Sequence, residues 1–464
     1  MSFPRYPKYK ASGVEWLGDV PEHWEAERVR WFFEIKKRIA GELGYDVLSI
    51  TQQGIKVKDL ESNVGQLSMD YSKYQIVEAG DFAMNHMDLL TGYVDIAKQR
   101  GVTSPDYRVF AIRDSTICFD KYLLFFFQMG YKNKIFYAFG QGSSHFGRWR
   151  LPAEQFNNLR FPLPPLPEQT AIAEFLDRET GKIDELVAEQ RRLMELLKEK
   201  RQAVISHAVT KGLNPHAPMK PSGIEWLGDV PEGWEIGKLG YACKLRGGFA
   251  FAAADFGTEG VAVVKMNNLK RGRLDLTESA RIPESSCNGT VALLEGDLVW
   301  GMSGSTGETG SLGSFARVRA DDLPCQLNQR VGRFQVDSAK LDLNFVEQVI
   351  QTPYFYEQIM LLVTGTAQYN VSSEQVQSCI FVLPPVAEQT AIAKFLDAEL
   401  LKFDTLTAEA QRAIDLLQER RTALISAAVT GQIDVRQQTS STVRDSLVVP
   451  ALAGKWAECS WGAG

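Results

Sequence analysis

The chain has 464 residues, a net charge of −6 and the apolar, aromatic and charged fractions of a soluble globular protein. This length predicts two to four domains with buried cores, and no run of about 18 apolar residues occurs that would span a membrane. The N-terminus lacks an apolar signal core and the six cysteines have no short pair spacing, so we expect a cytoplasmic protein with reduced thiols rather than a disulfide framework or a zinc knuckle.

The charge is spread along the chain without a strongly basic block. Residues 26–162 contain 18 Lys and Arg against 15 Asp and Glu, and residues 236–382 contain 13 against 15. A protein that binds DNA tightly by itself usually has more positive charge. The composition therefore leaves a nucleic-acid partner open, and it disfavours tight DNA binding by this chain alone.

In chain order, the first repeated element is a short arm at residues 12–25, which recurs at 222–235. The two copies match at twelve of fourteen positions. The tryptophans of the arms are Trp16, Trp24, Trp226 and Trp234. We interpret them as anchors that pack onto the modules or the helix ends, rather than as an aromatic cluster that binds a ligand.

The first arm is followed by residues 26–162, which we call module 1. Its short β-like runs are at 46–50, 74–77 and 108–112, and one helix-like run extends from Lys121 to Phe139. The loops are polar and aromatic, and a glycine-rich, basic and aromatic stretch closes the module at 140–150.

After module 1 comes a helical stretch from Glu168 to Thr210, which recurs from Glu388 to Thr430. The first ten residues of the two copies are identical at nine positions, and a Pro-Pro pair precedes each copy. Apolar residues occupy the same register in both, which predicts two matched helices that meet along a coiled-coil-like seam. The predicted seam positions are Leu176, Glu179, Ile183, Leu186, Gln190, Leu193, Leu197, Lys200 and Val204, and the residues 220 positions later. The alternative is two unconnected amphipathic helices, each packed on its own domain.

Residues 236–382, which we call module 2, again contain β-like runs, at 261–264, 298–300 and 330–334. A Gly-Asp pair before an apolar pair occurs in both modules, at 80–83 and 296–299, but otherwise the modules scarcely resemble each other. The arms and helices are nearly identical, whereas the modules have diverged. Because duplicated enzymes would tend to keep the same reactive residues in both halves, this contrast predicts a duplicated chain that presents two different recognition surfaces.

The common catalytic motifs are absent from the sequence. No GxxxxGK[ST], strand-linked GxGxxG or HExxH is present, and the Pro-Pro pairs lack the flanking residues that amino-methylating enzymes use. His145 is the one histidine that we consider a functional candidate, beside the simpler interpretation of a polar surface residue. We predict a non-catalytic chain with no metal site and no cofactor of its own.

The polar loops of the modules are candidate DNA contacts. Asn and Gln can bond adenine, Arg can bond guanine, and Ser and Thr suit base edges, while Lys and Arg hold phosphates. Each such residue alone is more often a solvated loop side chain. The candidate DNA-binding residues of module 1 are Asn85, His86, Tyr93, Lys98, Arg100, Ser143, Ser144, His145, Arg148 and Arg150. Those of module 2 are Lys265, Asn267, Asn268, Ser303, Ser305, Thr306, Thr309, Gln329, Arg330, Thr366, Gln368, Tyr369 and Asn370.

Three repeated motifs carry a resemblance to a known family. They are the arm Glu-Trp-Leu-Gly-x-Val-Pro-x-x-Trp, the helix entry Leu-Pro-Pro-(Leu/Val)-x-Glu-Gln-x-x-Ile-Ala-x-Phe-Leu-Asp and the helix exit Arg-x-Ala-(Val/Leu)-Ile-Ser-x-Ala-Val-Thr. Over residues 12 to about 435 the layout resembles that of type I restriction-modification specificity subunits. One departure is Val386-Ala387, where the first copy has Leu166-Pro167.

The resemblance and the duplication imply an α+β fold. Two mixed α/β target recognition domains in a pseudo-two-fold arrangement would be separated by two long antiparallel helices that form a coiled coil. The expected boundaries are 1–165 for the first recognition domain with its arm, 166–211 for the first helix, 212–385 for the second recognition domain, 386–433 for the second helix and 434–464 for a tail.

The resemblance also implies a function. Each recognition domain would read one half of a split site in double-stranded DNA, and the helices would set the spacing and dock two methyltransferase subunits. Restriction subunits with ATP and magnesium would join this core, and S-adenosylmethionine would belong to the methyltransferase subunits. The alternatives are a protein-binding scaffold or adaptor built on the coiled coil, and a single-chain nuclease or methylase with unrecognised motifs.

Overall fold

The computed structural model describes residues 3–59, 71–142, 149–270, 272–307, 310–365 and 368–436. In these residues no helix has both the length and the apolar character that crossing a membrane requires. The chain divides into two compact units, unit 1 (Met1–Glu189 with Arg412–Gly464) and unit 2 (Gln190–Gln411). Each of the two long helices has one part in unit 1 and its other part in unit 2.

Unit 1 contains the first arm, module 1 and parts of both long helices. Its strands are β1 (Tyr9–Ala11), β2 (Asp19–Pro21), β3 (Glu25–Arg28), β4 (Phe33–Lys36), β5 (Leu48–Thr51), β6 (Gly54–Val57), β7 (Gln75–Val77), β8 (Phe82–Met84), β9 (Val94–Ile96), β10 (Gly101–Thr103), β11 (Arg108–Ile112) and β12 (Arg160–Leu163). Its helices are α1 (Val29–Phe32), α2 (Asp120–Lys132), α3 (Ile135–Ala138), α4 (Ala153–Asn158) and the first part of α5 (Leu166–Lys211).

The core of module 1 is a cluster of phenylalanines on an antiparallel sheet of order β4-β11-β8-β9. The ring of Phe110 lies 5.1 Å from Phe33, 5.2 Å from Phe82, 5.3 Å from Phe127 and 5.0 Å from Phe156, measured between centroids. Such buried aromatic pairs contribute about 0.5–1.5 kcal/mol each beyond their buried area. This cluster fixes the sheet against α2 and α4.

The predicted helix from Lys121 to Phe139 is wrong in one respect, because the structure breaks it into α2 and α3. Lys134, between the two, has a φ of +56°, which no residue inside a right-handed helix adopts. The break lets Phe136 pack on Gly130, where a Cβ atom would lie 2.3 Å from the Phe136 ring. The predicted strands 74–77 and 108–112 match β7 and β11.

Unit 2 contains the second arm, module 2 and the remaining parts of the long helices. Its strands are β13 (Met219–Pro221), β14 (Asp229–Pro231), β15 (Glu235–Lys238), β16 (Cys243–Gly247), β17 (Val261–Val264), β18 (Leu269–Lys270), β19 (Arg273–Leu274), β20 (Arg281–Ile282), β21 (Leu298–Gly301), β22 (Ser303–Gly304), β23 (Phe315–Arg317), β24 (Cys325–Leu327), β25 (Val331–Val336), β26 (Tyr369–Asn370) and β27 (Ile380–Leu383). Its α-helices are α6 (Leu343–Val349), α7 (Pro353–Leu362), α8 (Ser373–Ser378) and the first part of α9 (Val386–Val429). Short 3-10 helices are at Leu239–Tyr241, Ala253–Asp255, Met266–Asn268, Glu284–Ser286, Gly289–Val291 and Ala320–Asp322.

Each module has its own four-stranded sheet, and the two sheets have the same topology, although the module sequences scarcely resemble each other. The antiparallel sheet of module 2 has the order β16-β25-β21-β23, which corresponds strand by strand to β4-β11-β8-β9 of module 1. The Gly-Asp pair opens the equivalent strands β8 and β21, and both glycines have a positive φ, +90° at Gly80 and +85° at Gly296. The dissimilarity of the modules is therefore confined to their sequences, and their sheets have the same strand order.

The aspartate of each Gly-Asp pair has the same role in its own module. Asp81 accepts a hydrogen bond from the backbone N–H of Glu78 at 2.8 Å and pairs with Arg38 at 2.8 Å. Asp297 accepts from Leu294 N–H at 2.9 Å and from Arg333 at 3.0 Å. The Gly-Asp pair thus marks a turn whose aspartate pairs with an arginine, Arg38 just after β4 in module 1 and Arg333 of β25 in module 2.

The start of each long helix is anchored to its own module by a buried glutamine. Gln169, in α5, accepts from Phe119 N–H at 2.8 Å and donates to the carbonyls of Ile117 and Pro164 at 2.9 Å each. Gln389, in α9, accepts from Asp342 N–H at 2.8 Å and donates to Lys340 and Pro384, at 2.9 and 2.7 Å. Both side chains are 0% exposed, so each satisfies backbone groups that water does not reach.

The arms anchor the units as predicted. In unit 1, Trp24 is 0% exposed and lies against Gly431, just after α9, while Trp16 lies 6.1 Å from Phe126 of α2. In unit 2, Trp234 is 1% exposed and lies against Gly212, just after α5. Trp226 stacks on Tyr354 of α7, with centroids 5.3 Å apart.

Within each unit, the parts of α5 and α9 run antiparallel. In unit 1, Asp184 of α5 pairs with Arg421 of α9 at 3.0 Å, while Glu168, near the start of α5, and Gly431, just after α9, both contact the first arm. In unit 2, Arg201 of α5 pairs with Asp404 of α9. The predicted pairing of the two helices is confirmed, as are the α+β class and the two mixed α/β modules.

The predicted seam is correct near the start of each helix, and the buried positions shift by one residue further along. Leu176, Ile183 and Leu197 are buried as expected, but Leu193 is 39% exposed and Lys200 is exposed. Additional buried positions lie beside predicted ones, namely Val187, Ile205, Ile414 and Ile425. An undistorted α-helix drifts against a strict seven-residue repeat, so the contact positions move round the helix by one residue.

Candidate nucleic-acid interface

In each module, two loops meet at one end of the module's four-stranded sheet. Loop A follows the strand that begins with the Gly-Asp turn, at 85–93 in module 1 and 302–314 in module 2. Loop B precedes the last short helix, at 139–152 and 363–372. Backbone hydrogen bonds join them: Leu151 N–H to His86 C=O at 2.9 Å in module 1, and Val371 N–H to Met302 C=O at 3.0 Å in module 2.

Module 1 brings four of the predicted residues to this junction. Asn85, His86 and Tyr93 belong to loop A, and Arg150 belongs to loop B. The backbone N–H of Asn85 donates to Tyr93 C=O at 2.9 Å, which closes loop A. Arg150 forms a two-way backbone pair with Gln141, at 2.8 and 3.0 Å, which joins the two described parts of loop B.

A buried arginine holds the two loops of module 1 together. Arg108, on β11, is 5% exposed, donates to Leu151 C=O at 2.9 Å, and lies 4.6 Å from the Phe156 ring centroid. Its burial lowers its pKa to about 10. Burial, followed by the charges of Arg108 and Arg150, lowers the pKa of His86 to about 4, so His86 is neutral at physiological pH. Among the described residues, Arg108 Nη1 and His86 Nδ1 are buried without hydrogen-bond partners.

The two remaining described candidates of module 1 lie elsewhere, and Tyr93 at the junction is partly buried. Lys98 and Arg100 follow β9 at the Phe82 end of the β8–β9 pair, whereas Asn85 follows its Met84 end. Arg100 pairs with Glu78 at 3.4 Å and stacks on Tyr45. Tyr93 is half-buried beside Tyr131, and burial raises its pKa. The structure therefore does not place Lys98 and Arg100 with the loop junction.

Module 2 brings most of its predicted residues together. Ser303 of β22 pairs with Asn370 of β26 in an antiparallel register. The Asn370 Oδ1 atom accepts hydrogen bonds from Ser303 Oγ at 2.9 Å and from Arg330 Nη1 at 3.0 Å. The residues that surround this cluster with exposed or half-exposed side chains are Ser305, Thr306, Gln329, Gln368 and Tyr369.

The loop after β17 lies at the same end of module 2. Two of its predicted residues, Lys265 and Asn267, are at least partly exposed, whereas the third, Asn268, is buried. Lys265 lies 3.7 Å above the Phe256 ring centroid, and Asn267 is exposed. Asn268 is 3% exposed; its Oδ1 accepts from Lys265 N–H at 2.8 Å and its Nδ2 donates to Asp275 C=O at 2.9 Å. Its amide therefore holds the turn, and we leave Asn268 out of the interface proposed below.

Some predicted residues lie outside the described parts of the chain. They are Ser143, Ser144, His145, Arg148, Thr309 and Thr366. The DNA-contact roles of all the candidates stay predictions.

Two residues at the loop junctions escaped the sequence-based prediction. Phe249 is 45% exposed and is fixed by backbone hydrogen bonds to Leu327 and Gln329, at 2.9 and 3.1 Å. Its signal was the preceding Gly247-Gly248 pair, since a Cβ atom at Gly248 would lie 2.2 Å from the Leu327 carbonyl oxygen. Gln52, in the β5–β6 turn, donates to Thr91 C=O in loop A at 3.1 Å, and nothing local in the sequence indicated this contact.

The described residues contain no group of three or more His, Cys, Asp or Glu side chains arranged to hold a metal ion. Asp88 in loop A of module 1 uses its carboxylate to accept hydrogen bonds from the N–H groups of Leu90 and Thr91. The candidate contact residues at the loop junctions carry amide, hydroxyl, imidazole and guanidinium groups. These groups are suited to hydrogen bonds with base edges and phosphates.

Comparisons with known proteins agree with this geometry. A family model described as "Type I restriction modification DNA specificity domain" matches residues 21–193 and again 231–414, one match for each module with the first part of its following helix. The chain belongs to this family. The resemblance inferred from the arm and helix motifs is thereby confirmed, and the comparisons support the DNA-specificity interpretation rather than the protein-binding scaffold.

Members of the family among known proteins are similar over most or part of the chain. The MjaVIII specificity subunit of Methanocaldococcus jannaschii is 25% identical over 432 residues, which cover 90% of this chain and 94% of that protein. The EcoBI specificity subunit of Escherichia coli is 26% identical over 212 residues, 45% of this chain and 41% of that protein. A chain solved in work on the assembly and conformational transition of the type I R-M system has the same fold, with a TM-score of 0.64 and 14% identity over 88% of this chain and 98% of that one.

Proposed function

We propose that this chain is the DNA sequence-specificity subunit of a type I restriction-modification complex. Loops A and B of module 1 read one half of a split site in double-stranded DNA, and those of module 2 read the other half. The chain itself performs no chemistry on DNA.

One observation carries this proposal. The two modules have the same sheet topology and equivalent loop junctions but place different side chains at those junctions. These are His86 and Arg150 in module 1, and Ser303 and Asn370 in module 2. Arg150 and Asn370 are equivalent in position, since each precedes the residue whose N–H bonds loop A. A constant scaffold with divergent hydrogen-bonding groups supports the reading of two different base sequences.

Partner subunits supply the catalysis in this proposal. Two methyltransferase subunits dock on the chain and bind S-adenosylmethionine, and restriction subunits bring ATP and magnesium. The partners also supply much of the phosphate contact, which accounts for the modest charge of the modules, 18 basic against 15 acidic residues in module 1. The complex acts in the cytoplasm, where its DNA target lies.

The direct test is co-expression with a candidate methyltransferase subunit, followed by mapping of methylated adenines. We expect one motif with two specified halves and an unspecified gap. A continuous motif, or no methylation with a methyltransferase subunit that binds the chain, would overturn the proposal.

Two further assays separate this chain's role from that of its partners. Gel shifts of the isolated chain should show weak, salt-sensitive binding that sharpens when the methyltransferase subunit is added. Incubation of the isolated chain with plasmid, magnesium, ATP and S-adenosylmethionine should leave the DNA unchanged. Cleavage or methylation under those conditions would contradict a non-catalytic subunit.

A further inference from the structure

The cluster of Ser303, Asn370 and Arg330 in module 2 fixes the orientation of one amide. Ser303 is 1% exposed, and its hydroxyl donates to Asn370 Oδ1 at 2.9 Å. The amide nitrogen of Asn370 donates to Gln368 C=O at 3.2 Å. The two bonds require opposite ends of the amide, so they set which end is the oxygen. Asn370 Oδ1 is therefore a fixed acceptor at the edge of loop B.

Arg330 is held against this acceptor at both its backbone and its side chain. Its carbonyl accepts from Met302 N–H at 3.0 Å, and its N–H donates to Asn328 Oδ1 at 3.4 Å. Its Nη1 atom donates to Asn370 Oδ1 at 3.0 Å. The position of the guanidinium is thus determined by loop A, by the turn before β25 and by loop B together.

The rest of the Arg330 guanidinium is available to a ligand. In the described chain its only side-chain hydrogen bond is the one to Asn370, and no carboxylate pairs with it. Two other arginines of module 2 differ in this respect, since Arg317 pairs with Glu347 and Arg333 pairs with Asp297. Arg330 is exposed, and with Nη1 held by Asn370, its Nε and Nη2 atoms present two parallel N–H donors on one edge.

That edge matches one base. In the major groove guanine presents the O6 and N7 acceptors side by side, and arginine bonds both at once. A phosphate contact needs only positive charge, for which a mobile lysine or arginine suffices. Holding a long side chain in one orientation before binding reduces the entropy that recognition costs. The support built from a buried serine and an oriented asparagine therefore favours a contact that depends on direction.

We infer that Arg330 reads a guanine in the half-site of module 2, with Asn370 and Ser303 as positioning residues that hold its guanidinium edge toward the base. The inference rests on the proposed function and deepens it by assigning one base to one side chain. Module 1 has Arg150 at the position of Asn370, so its half-site is read by a different set of groups.

The test uses the complex of the full chain with its methyltransferase subunit and duplexes that carry the mapped motif. Each guanine of the module 2 half-site is replaced in turn by 7-deazaguanine, which lacks the N7 acceptor, and by adenine paired with thymine. We expect the wild-type complex to bind one of the adenine-substituted duplexes roughly 10- to 100-fold more weakly, and to bind the 7-deazaguanine duplex at the same position more weakly than the unmodified one. The Arg330→Lys complex should lose this discrimination at that position and keep it elsewhere.

The positioning role has its own readout. Asn370→Ala should reduce the discrimination at the same guanine while binding to DNA without the motif stays unchanged. The matched control is Arg319→Lys, because Arg319 is also exposed but follows β23 at the Leu298 end of β21, away from Ser303. It should leave the discrimination intact.

Several results would overturn the inference. A module 2 half-site without a G·C pair would do so, as would an Arg330→Lys complex that keeps the full guanine preference. A loss of affinity that is equal for every duplex would assign Arg330 to a phosphate instead. A wild-type complex without a split motif would overturn the proposed function itself and the inference with it, whereas a split motif with an unaffected Arg330→Lys complex would overturn the inference alone.

Discussion

Trp234 donates its indole N–H to Glu388 at 2.9 Å, joining the second arm to the start of α9. In unit 1 the equivalent Trp24 is buried, and among the described residues its indole N–H has no partner. The carboxylate of Glu168, equivalent to Glu388, is occupied there by Tyr6 and by His23, the latter at 2.8 Å. Two nearly identical arms are thus fastened by different hydrogen bonds.

Replacing Glu388 tests whether this hydrogen bond stabilises unit 2. Glu388→Leu leaves the buried Trp234 N–H without an acceptor, so we expect the free energy of unfolding to fall by about 1–3 kcal/mol. Glu388→Gln keeps an acceptor oxygen and should cost less than about 1 kcal/mol. Urea unfolding of the full chain measures both. Equal losses for the two variants would show that the hydrogen bond contributes nothing.

The buried glutamines predict a larger effect. Gln389→Ala leaves the N–H of Asp342 and the carbonyls of Lys340 and Pro384 without their partner, so the free energy of unfolding should fall by at least about 2 kcal/mol. The control is Gln418→Ala, at an exposed position of the same helix, which should change it by less than about 0.5 kcal/mol. Similar unfolding midpoints for the two variants would refute an anchoring role.

The packing face of α9 can be tested with two adjacent leucines. Leu400 is 7% exposed and belongs to the core of unit 2, whereas Leu401 is 68% exposed. Leu400→Ala should cost about 2–5 kcal/mol because it leaves a cavity, and Leu401→Ala should cost less than about 0.5 kcal/mol. The same unfolding assay compares them, and a larger loss for Leu401→Ala would mean that α9 is rotated about its axis.

The environment of His86 predicts an acid sensitivity in module 1. Burial, then the charges of Arg108 and Arg150, lower the pKa of His86 to about 4 in the folded chain, whereas an unfolded histidine has a pKa of about 6.5. Between these values the unfolded state binds a proton that the folded state does not, so this contribution to stability is complete above pH of about 6.5 and is lost as the pH falls toward 4.

The variant His86→Gln removes the titrating group. We expect the loss of stability between pH 7 and pH 5 to be smaller in this variant than in the wild type, as measured by urea unfolding at the two pH values. His216→Gln, which changes an exposed histidine between α5 and β13, serves as the control and should behave like the wild type. An unchanged pH dependence in His86→Gln would contradict the assignment.

The repeated segments were predictable because two nearly identical sequences are expected to adopt the same structure, so a pattern found in both copies indicates that structure twice. Both long helices begin and end within two residues of the repeated stretches 168–210 and 388–430, since Pro-Pro pairs precede them and their apolar periodicity is unbroken. The second helix ends at Val429, before the boundary expected at 433. The roles of Gln169 and Gln389 were not predictable, because each has two of its three partners in backbone groups about 50 residues earlier. Hydrogen bonds at that separation leave no local pattern in the sequence.

The modules were harder to predict for a physical reason. Their short strands belong to a sheet whose neighbours lie far apart in the chain, as β16 and β25 do, and different apolar residues fill the same core positions. The loop residues Ser303, Arg330 and Asn370 were predicted from their chemical type. Their contact in space depends on strand pairings between distant parts of the chain. Selection by chemical type fails for Lys98 and Arg100. Their side chains could contact DNA, but they follow the end of β9 that is opposite to the loop junction.

Replacement of residues 26–162 by the corresponding module of another family member tests the central claim most directly. The readout is the methylated motif of the complex with its methyltransferase subunit, mapped before and after the replacement. If the two modules read DNA independently, one half of the motif changes while the other half keeps its sequence. A change in both halves, or in neither, would contradict the account.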